Sequence, residues 1–271
     1  MKIINLIEDT PGREGCLYEH GLSFYVETGK HKILVDTGAT DAFLINAENL
    51  GIDITKIDTV ILSHGHYDHS GGLLAFAKKN TSAQIYMQQS AGEAYFGVRK
   101  DKKVYIGIDK EILELPGLHM IEGELELDEE LSLFSGIMGR RMWPKSNLRL
   151  KKKAGNEYVQ DDFAHEQCLV ITVEGKNILL SGCAHNGILN ILDRYRELYG
   201  ATPDVVISGF HMVQKMYRDE DIKRIQNTAE ELKRYPTVFF TGHCTGKEAF
   251  DVMKAIMGDR LREIHSGTEV L

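Results

Sequence analysis

Only four cysteines occur in the 271 residues, Cys16, Cys168, Cys183 and Cys244, and no two of them have a paired spacing. That scarcity excludes a disulfide framework and leads to the expectation of reduced thiols in a cytoplasmic protein. Long apolar runs are also missing. Met1-Lys2-Ile3-Ile4-Asn5-Leu6 is too short for a signal peptide and is followed at once by Glu8 and Asp9. No segment approaches the roughly 20 apolar residues of a membrane span. Positive charge is in deficit, with 32 lysines and arginines against 40 aspartates and glutamates, a formal net charge of −8. Such a balance argues against nucleic acid as a general partner, and nothing points to a membrane.

What is present is concentrated. Ser63-His64-Gly65-His66-Tyr67-Asp68-His69-Ser70-Gly71-Gly72 packs three imidazoles and a carboxylate into six residues, directly after the apolar run Asp58-Thr59-Val60-Ile61-Leu62. Imidazole and carboxylate together suit Zn, Fe or Mn better than Ca or Mg. Tight histidine spacing on a loop also lets several ligands converge on a pair of ions. A polar surface turn rich in histidine is the bland alternative, and the exit of a buried strand is a poor place for one.

The apolar pattern predicts alternating strands and helices. A hairpin of 22–27 and 32–35 leads through Asp36-Thr37-Gly38 to a helix over about 41–50, stopped at Gly51. The strand 59–62 delivers the histidine cluster, and 73–79 reads as the following helix. In the second half, strands 168–173 and 177–180 form another hairpin ending in Ser181-Gly182-Cys183-Ala184-His185-Asn186-Gly187, before a helix through Tyr199. The strand 205–207 ends in Ser208-Gly209-Phe210-His211, a charged helix covers about 219–234, and the strand 237–240 ends in Thr241-Gly242-His243-Cys244-Thr245-Gly246. A lone histidine at a strand end is usually a packing residue. Three at equivalent ends, each near a small residue, point to one convergent site. The expectation is a single domain over 1–271, with a basic loop at about 138–165.

These segments carry a resemblance. The His-x-His-x-Asp-His run with its flanking Ser63 and Gly71-Gly72 resembles the signature of the metallo-β-lactamase superfamily. Together with Tyr18-Glu19-His20-Gly21, Asp36-Thr37-Gly38, Gly182 to Gly187, Gly209-Phe210-His211 and Gly242 to Gly246, it is similar to the 7,8-dihydropterin-6-methyl-4-(β-D-ribofuranosyl)aminobenzene-5′-phosphate synthase-like metal-dependent hydrolases. The resemblance implies an α/β fold, the αββα four-layer sandwich, and one or two divalent ions, zinc first with iron or manganese as alternatives. It assigns His64, His66 and His185 to one metal and Asp68, His69 and His243 to the second. The chain departs from the pattern at Cys183, which follows Ser181-Gly182 where a bridging aspartate is usual; ligation and plain packing both stay open there. His165 competes with His185 for one ligand role, and His185 is preferred because it sits between Gly182 and Gly187 at a strand-to-helix turn. In the implied mechanism the metal lowers the pKa of bound water and generates hydroxide. Asp68 ligates, orients that hydroxide or accepts its proton. His211 either serves a substrate oxyanion or leaving group, or braces a ligand.

The stretch Arg140 to Lys153 holds seven cations, Arg140, Arg141, Lys145, Arg149, Lys151, Lys152 and Lys153, no acidic residue, and the chain's only tryptophan, Trp143. A solvated charge run accounts for such a segment. The functional reading is a loop over the metals in which Arg140, Arg141 and Arg149 grip a phosphate while Trp143 covers a planar ring. The expected function is hydrolysis of a small anionic molecule, phosphorylated or a phosphodiester, pterin- or nucleotide-like. A thioester or lactone hydrolase and a non-enzymatic metal-binding sensor or scaffold are the alternatives. The oligomeric state is open, a homo-oligomer included.

Overall fold

The computed structural model describes residues 1–100 and 102–271. Two sheets lie face to face. One contains, in order across it, Lys2–Ile7, Ser23–Glu27, Lys32–Val35, Thr59–Ile61, Gln84–Gln88 and Leu118–Ile121. The other runs Leu261–Glu263, Val238–Thr241, Val205–Ile207, Lys176–Ser181, Cys168–Val173, Leu131–Phe134 and Leu125–Glu126. In both, antiparallel hairpins give way to parallel strands linked through helices.

Side-chain alternation explains the layering. Phe24, Val26, Ile33, Val35 and Ile61 of the first sheet meet Leu169, Ile171, Ile178, Leu180 and Ile207 of the second in one inter-sheet core. The residues between them, Tyr25, Leu34 and Val60 on one sheet and Cys168, Val170 and Leu179 on the other, point away and pack under helices. Strands buried on both faces therefore read as continuous apolar runs, as these do. Helices Ala42–Asn49 and Leu73–Lys79 cover the first sheet; Ile188–Tyr199, Asp219–Leu232 and Lys247–Met257 cover the second. The result is the αββα sandwich. No helix among the described residues is long and apolar enough to cross a membrane.

The basic segment departs from expectation. It is not one long loop. Residues 145–149 form a 3₁₀ turn, and Leu150–Ala154 and Glu157–Gln160 are strands of a separate four-stranded sheet with Tyr95–Arg99 and Lys102–Tyr105. Leu150–Ala154 carries three consecutive lysines, Lys151, Lys152 and Lys153, so no alternation marks it as a strand in the sequence.

Candidate metal centre

Both sheets bring the carboxyl ends of parallel strands to one rim. The loop after Thr59–Ile61 carries His64, His66, Asp68 and His69, and the loops after Lys176–Ser181, Val205–Ile207 and Val238–Thr241 carry Cys183 and His185, His211, and His243. Glycine is required where these loops touch. A Cβ on Gly182 would lie 2.2 Å from Ser63 Oγ, and one on Gly209 2.5 Å from Cys244 Sγ.

The hydrogen bonds fix which ring nitrogens are free. Ser63 donates its N–H and its Oγ–H to the Asp36 carboxylate, each at 2.7 Å, so the contact at 2.9 Å between Ser63 Oγ and His64 Nδ1 must use the histidine proton. His185 Nδ1–H donates to Asn147 Oδ1 at 3.1 Å, while Asn147 Nδ2 donates to the His185 carbonyl at 2.7 Å. His64 and His185 therefore both present unprotonated Nε2 atoms, and these face each other at 3.3 Å. Two lone pairs at that separation repel unless a cation lies between them. The distance matches the edge of a tetrahedron with metal–nitrogen bonds of about 2.0 to 2.1 Å. His66 packs edge-on to both rings, at 4.6 and 4.8 Å, and its buried Nε2 has no partner.

A second set lies beside the first. His69 Nδ1–H donates to Asp36 at 2.6 Å and its Nε2 faces Cys183 Sγ at 3.2 Å; His243 Nδ1–H donates to Asp9 at 2.6 Å and its buried Nε2 is unpartnered. Asp68 Oδ2 lies 3.9 Å from His69 Nε2 and 3.6 Å from His243 Nε2. Cys183 joins the two sets, since its Sγ clusters with His64 and His185 on one side and with His69 and His243 on the other. The donor set fits divalent metal: neutral imidazoles, one carboxylate and a thiol, with their remaining protons held by Ser63, Asn147, Asp36 and Asp9.

Without a cation the two sets differ in charge. Burial and neighbouring imidazoles hold His64 and His185 well below the usual histidine range and His66 at about 3. Burial opposes charge on His243 too, but Asp68 and Asp9 overcome it and push this histidine well up; the same contacts overcome burial at Asp68 and hold its carboxyl low. Burial pushes the Cys183 thiol well up.

His165 groups with His66 and Asp161 rather than with His64 and His185. Gly65 N–H donates to its Nδ1 at 3.0 Å, which puts its proton on Nε2, 3.3 Å from Asp161 Oδ2. His211 lies against His185, 4.2 Å between rings, and clusters with Cys183 and Cys244. Its Nδ1 is enclosed, and the hollow beside it holds only about 30 Å³.

The basic residues scatter. Arg141 pairs with Asp193 and Glu231, Lys145 with Glu220 and Asp221, and Lys152 with Asp162. Arg149 is exposed at the end of the 3₁₀ turn. Arg140, 5.8 Å over the Trp143 ring, instead lines a cavity of about 540 Å³ with Gln88, Glu93, Glu122, Asp162 and Phe163. Phe163 joins this cavity to the centre, stacking flat on His185 at 4.6 Å and 2°.

Sequence reasoning missed Asn147, Phe163 and the role of Asp9. Asn147 and Phe163 carry no local signal, because their partner His185 lies 38 and 22 residues away. Asp9 did carry one: an acidic pair, Glu8-Asp9, at the exit of an apolar strand. Backbone strain also marks the site. Eight non-glycine residues among those described have left-handed φ, and five of them, Asp36, Phe163, Ala184, His211 and His243, lie in or against this centre.

The family model of the metallo-beta-lactamase superfamily matches residues 19–136. The 7,8-dihydropterin-6-methyl-4-(beta-D-ribofuranosyl)-aminobenzene-5′-phosphate synthase of Methanocaldococcus jannaschii is 28% identical over 294 residues, covering 98% of this chain and 95% of its own. Among solved structures, Tm1679, described as a metal-dependent hydrolase of the beta-lactamase superfamily, superposes with a TM-score of 0.82 at 29% identity, covering 100% of this chain and 98% of that one. The fold protein YhfI from Bacillus subtilis, at 13% identity and a TM-score of 0.56 over 100% and 99% of the two chains, shares the fold.

Proposed function

Because the chain carries a metallo-beta-lactamase superfamily domain, we propose that it is a metal-dependent hydrolase whose substrate is a small phosphorylated or phosphodiester molecule with a planar ring. The facing Nε2 atoms of His64 and His185 carry the metal reading. His64, His66 and His185 would hold one ion, and Asp68, His69 and His243 the other, with the Cys183 thiol between them. The metal, when bound, supplies an activated water and polarises the oxygen of the bond being broken. Asp68, kept ionised chiefly by His243 and His69, would help to hold the ion and orient that water. His211, enclosed against Cys183 and Cys244, serves as a brace for the ligand loops rather than as a group that meets substrate.

Arg140, Trp143 and Phe163 support the substrate class. Arg140 and Phe163 line the cavity that adjoins His185, and the Trp143 ring packs against both. The M. jannaschii relative is named for a dihydropterin phosphate, a compound of this kind. One observation favours the thioester or lactone alternative: Arg141, Lys145 and Lys152 are already paired with carboxylates, and Glu93, Glu122 and Asp162 share the cavity with Arg140.

The test is a screen of metal-loaded protein against phosphomonoesters, cyclic and linear phosphodiesters, thioesters and lactones, followed by Arg140→Ala on whatever turns over. A charge-assisted contact to phosphate is worth about 1.5 to 3 kcal/mol, so KM for a phosphorylated substrate should rise about tenfold to a hundredfold while a neutral ester is unaffected. Arg141→Ala should leave both alone. Equal losses on both substrates, or turnover of thioesters and lactones only, would replace the phosphoester reading by the alternative.

A further inference from the structure

The segment Tyr18-Glu19-His20-Gly21 has no part in the centre described so far, yet it is pinned against that centre from both sides. Glu19 Oε1 accepts from the N–H groups of Ala39 and Thr40 at 3.0 and 2.9 Å, and its Oε2 accepts from Thr40 Oγ1 at 2.7 Å. Glu19 N–H donates to the Glu8 carbonyl at 3.2 Å, and Leu22 N–H to the Asp68 carbonyl at 3.2 Å. Gly21 permits that approach: a Cβ there would lie 2.8 Å from both the Asp68 carbonyl oxygen and the Ala39 nitrogen.

His20 stands between these anchors with its side chain 55% exposed. A half-exposed histidine without a task would turn its nitrogens to water. This ring stacks on His243 instead, with centroids 5.0 Å apart at 28°, its Nδ1 lies 2.9 Å from Asp9 Oδ2, and its Nε2 lies 3.5 Å from Asp68 Oδ2. Asp9 thus holds two histidines at once, His20 on one oxygen and His243 on the other. Both rings are thereby turned so that Nε2 faces the same Asp68 oxygen, at 3.5 and 3.6 Å, with His69 Nε2 at 3.9 Å from it. An Nδ1–H held by a carboxylate with Nε2 left free is the arrangement that metal-ligating histidines adopt. Spacings of 3.5 to 3.9 Å are close to the edge of a tetrahedron with bonds of about 2.0 to 2.2 Å.

We propose that His20 is a further protein ligand of the outer metal, joining Asp68, His69 and His243 and closing the coordination on the solvent side. This rests on the metal-centre reading above and is independent of which bond the protein hydrolyses. The side chains of His69 and His243 are fully buried and that of Asp68 is 13% exposed, so His20 is the ligand that a molecule arriving from solvent meets first.

The experiment uses the full chain stripped of metal and titrated with Co(II), comparing the unaltered protein with His20→Gly and His20→Gln. The unaltered chain should take up two Co(II), with a visible band from the ion that His20 helps to hold. His20→Gly should weaken one of the two sites at least tenfold, with the visible band losing intensity as water enters. Free imidazole should restore both the affinity and the band, since the vacated position opens to solvent. His20→Gln should show the same loss and, with its side chain filling the space, little rescue. Unchanged affinity and spectrum in both variants would overturn the proposal, as would a loss in His20→Gly that imidazole leaves in place while His20→Gln behaves as the unaltered chain. Uptake of a single Co(II) by the unaltered chain would overturn both this proposal and the two-metal reading, whereas two tightly held ions unaffected by either substitution would overturn this proposal alone.

Discussion

The two halves of the centre are built from different chemistry. His64, His66 and His185 form an inner set whose ring protons are held by a hydroxyl and an amide, and the set is neutral before metal arrives. Asp68, His69 and His243 form an outer set with carboxylates both inside it and behind it, Asp36 under His69 and Asp9 under His243. A cation entering the inner set displaces no salt bridge and relieves lone-pair repulsion. One entering the outer set replaces a proton already balanced by Asp68 and Asp9. The lesson is that neighbouring sites of nearly the same ligand count need not load together or prefer the same ion. By donor chemistry an all-imidazole set favours borderline ions over hard ones, and a carboxylate in the outer set widens its range toward harder ions.

The largest expected effect breaks the outer set outright. Asp68→Asn keeps the shape but removes the charge and the proton acceptor, so kcat/KM should fall about a hundredfold to ten-thousandfold and one ion per chain should be lost. Steady-state kinetics and elemental analysis check this. Retention of both ions would mean that Asp68 is no ligand. Next comes Cys183, where the two sets meet. Cys183→Asp should raise occupancy of the second site, because a carboxylate bridges two hard cations, and Cys183→Ala should lower it. Identical stoichiometry in all three proteins would show that the thiol only packs.

A smaller effect separates the residues behind the ligands. Asn147→Ala removes the partner of His185 and should weaken the inner site about tenfold to a hundredfold with the outer site unchanged; Asp9→Asn should do the reverse. Chelator competition on each variant measures both, and a variant that weakens the two sites equally would dissolve the distinction drawn here.

The smallest effect is on the metal-free chain, where the two sets have opposite signs. His64, His66 and His185 are depressed in the fold, so the unfolded chain binds protons that the folded one refuses. Their contribution is intact above the unfolded value near 6.5 and is lost as pH falls toward about 3, the value for His66. His243 is raised, so its contribution is present below 6.5 and disappears at higher pH. Below 6.5 only the three depressed groups change the balance, so stability should drop between pH 6.5 and 4.5, by at most about 1.4 kcal/mol per group per pH unit. Urea midpoints on stripped protein over that range and above it are the measurement. His66→Asn should flatten the loss, and His243→Asn should leave it in place while removing the decline that the unaltered chain shows above pH 6.5; a flat profile between pH 6.5 and 4.5 in the unaltered chain would show that the inner histidines titrate normally.

Much of this was legible in the chain. Strands 32–35, 168–173 and 205–207 and the helix 73–79 fall where their apolar runs end, because each is buried against sheet or helix on definite faces. The strand-end loops announced themselves through histidine beside glycine, two residue types that apolar packing does not explain. The pairing of the basic segment was not legible because a cation's partner is set by folding: Asp193 and Glu231, which pair with Arg141, and Glu220, which pairs with Lys145, lie far along the sequence. Asn147 was hidden in that same segment, since a buried amide surrounded by cations in sequence looks like one more polar surface residue.

The left-handed backbone at Asp36, Phe163, Ala184, His211 and His243 bears on how such a protein can be improved. These are positions where glycine relaxes the chain by relieving a clash at Cβ. A search for heat-resistant variants would therefore be drawn toward them, Ala184 above all, since it has no side-chain chemistry to lose. Yet each lies in or against the centre, and a glycine there would widen the backbone conformations open to the segments that orient Nε2 and Sγ. Tolerance to heat and fidelity of metal capture are set against each other at the same five residues, so gains in melting temperature are better sought on the outer helices than along this rim.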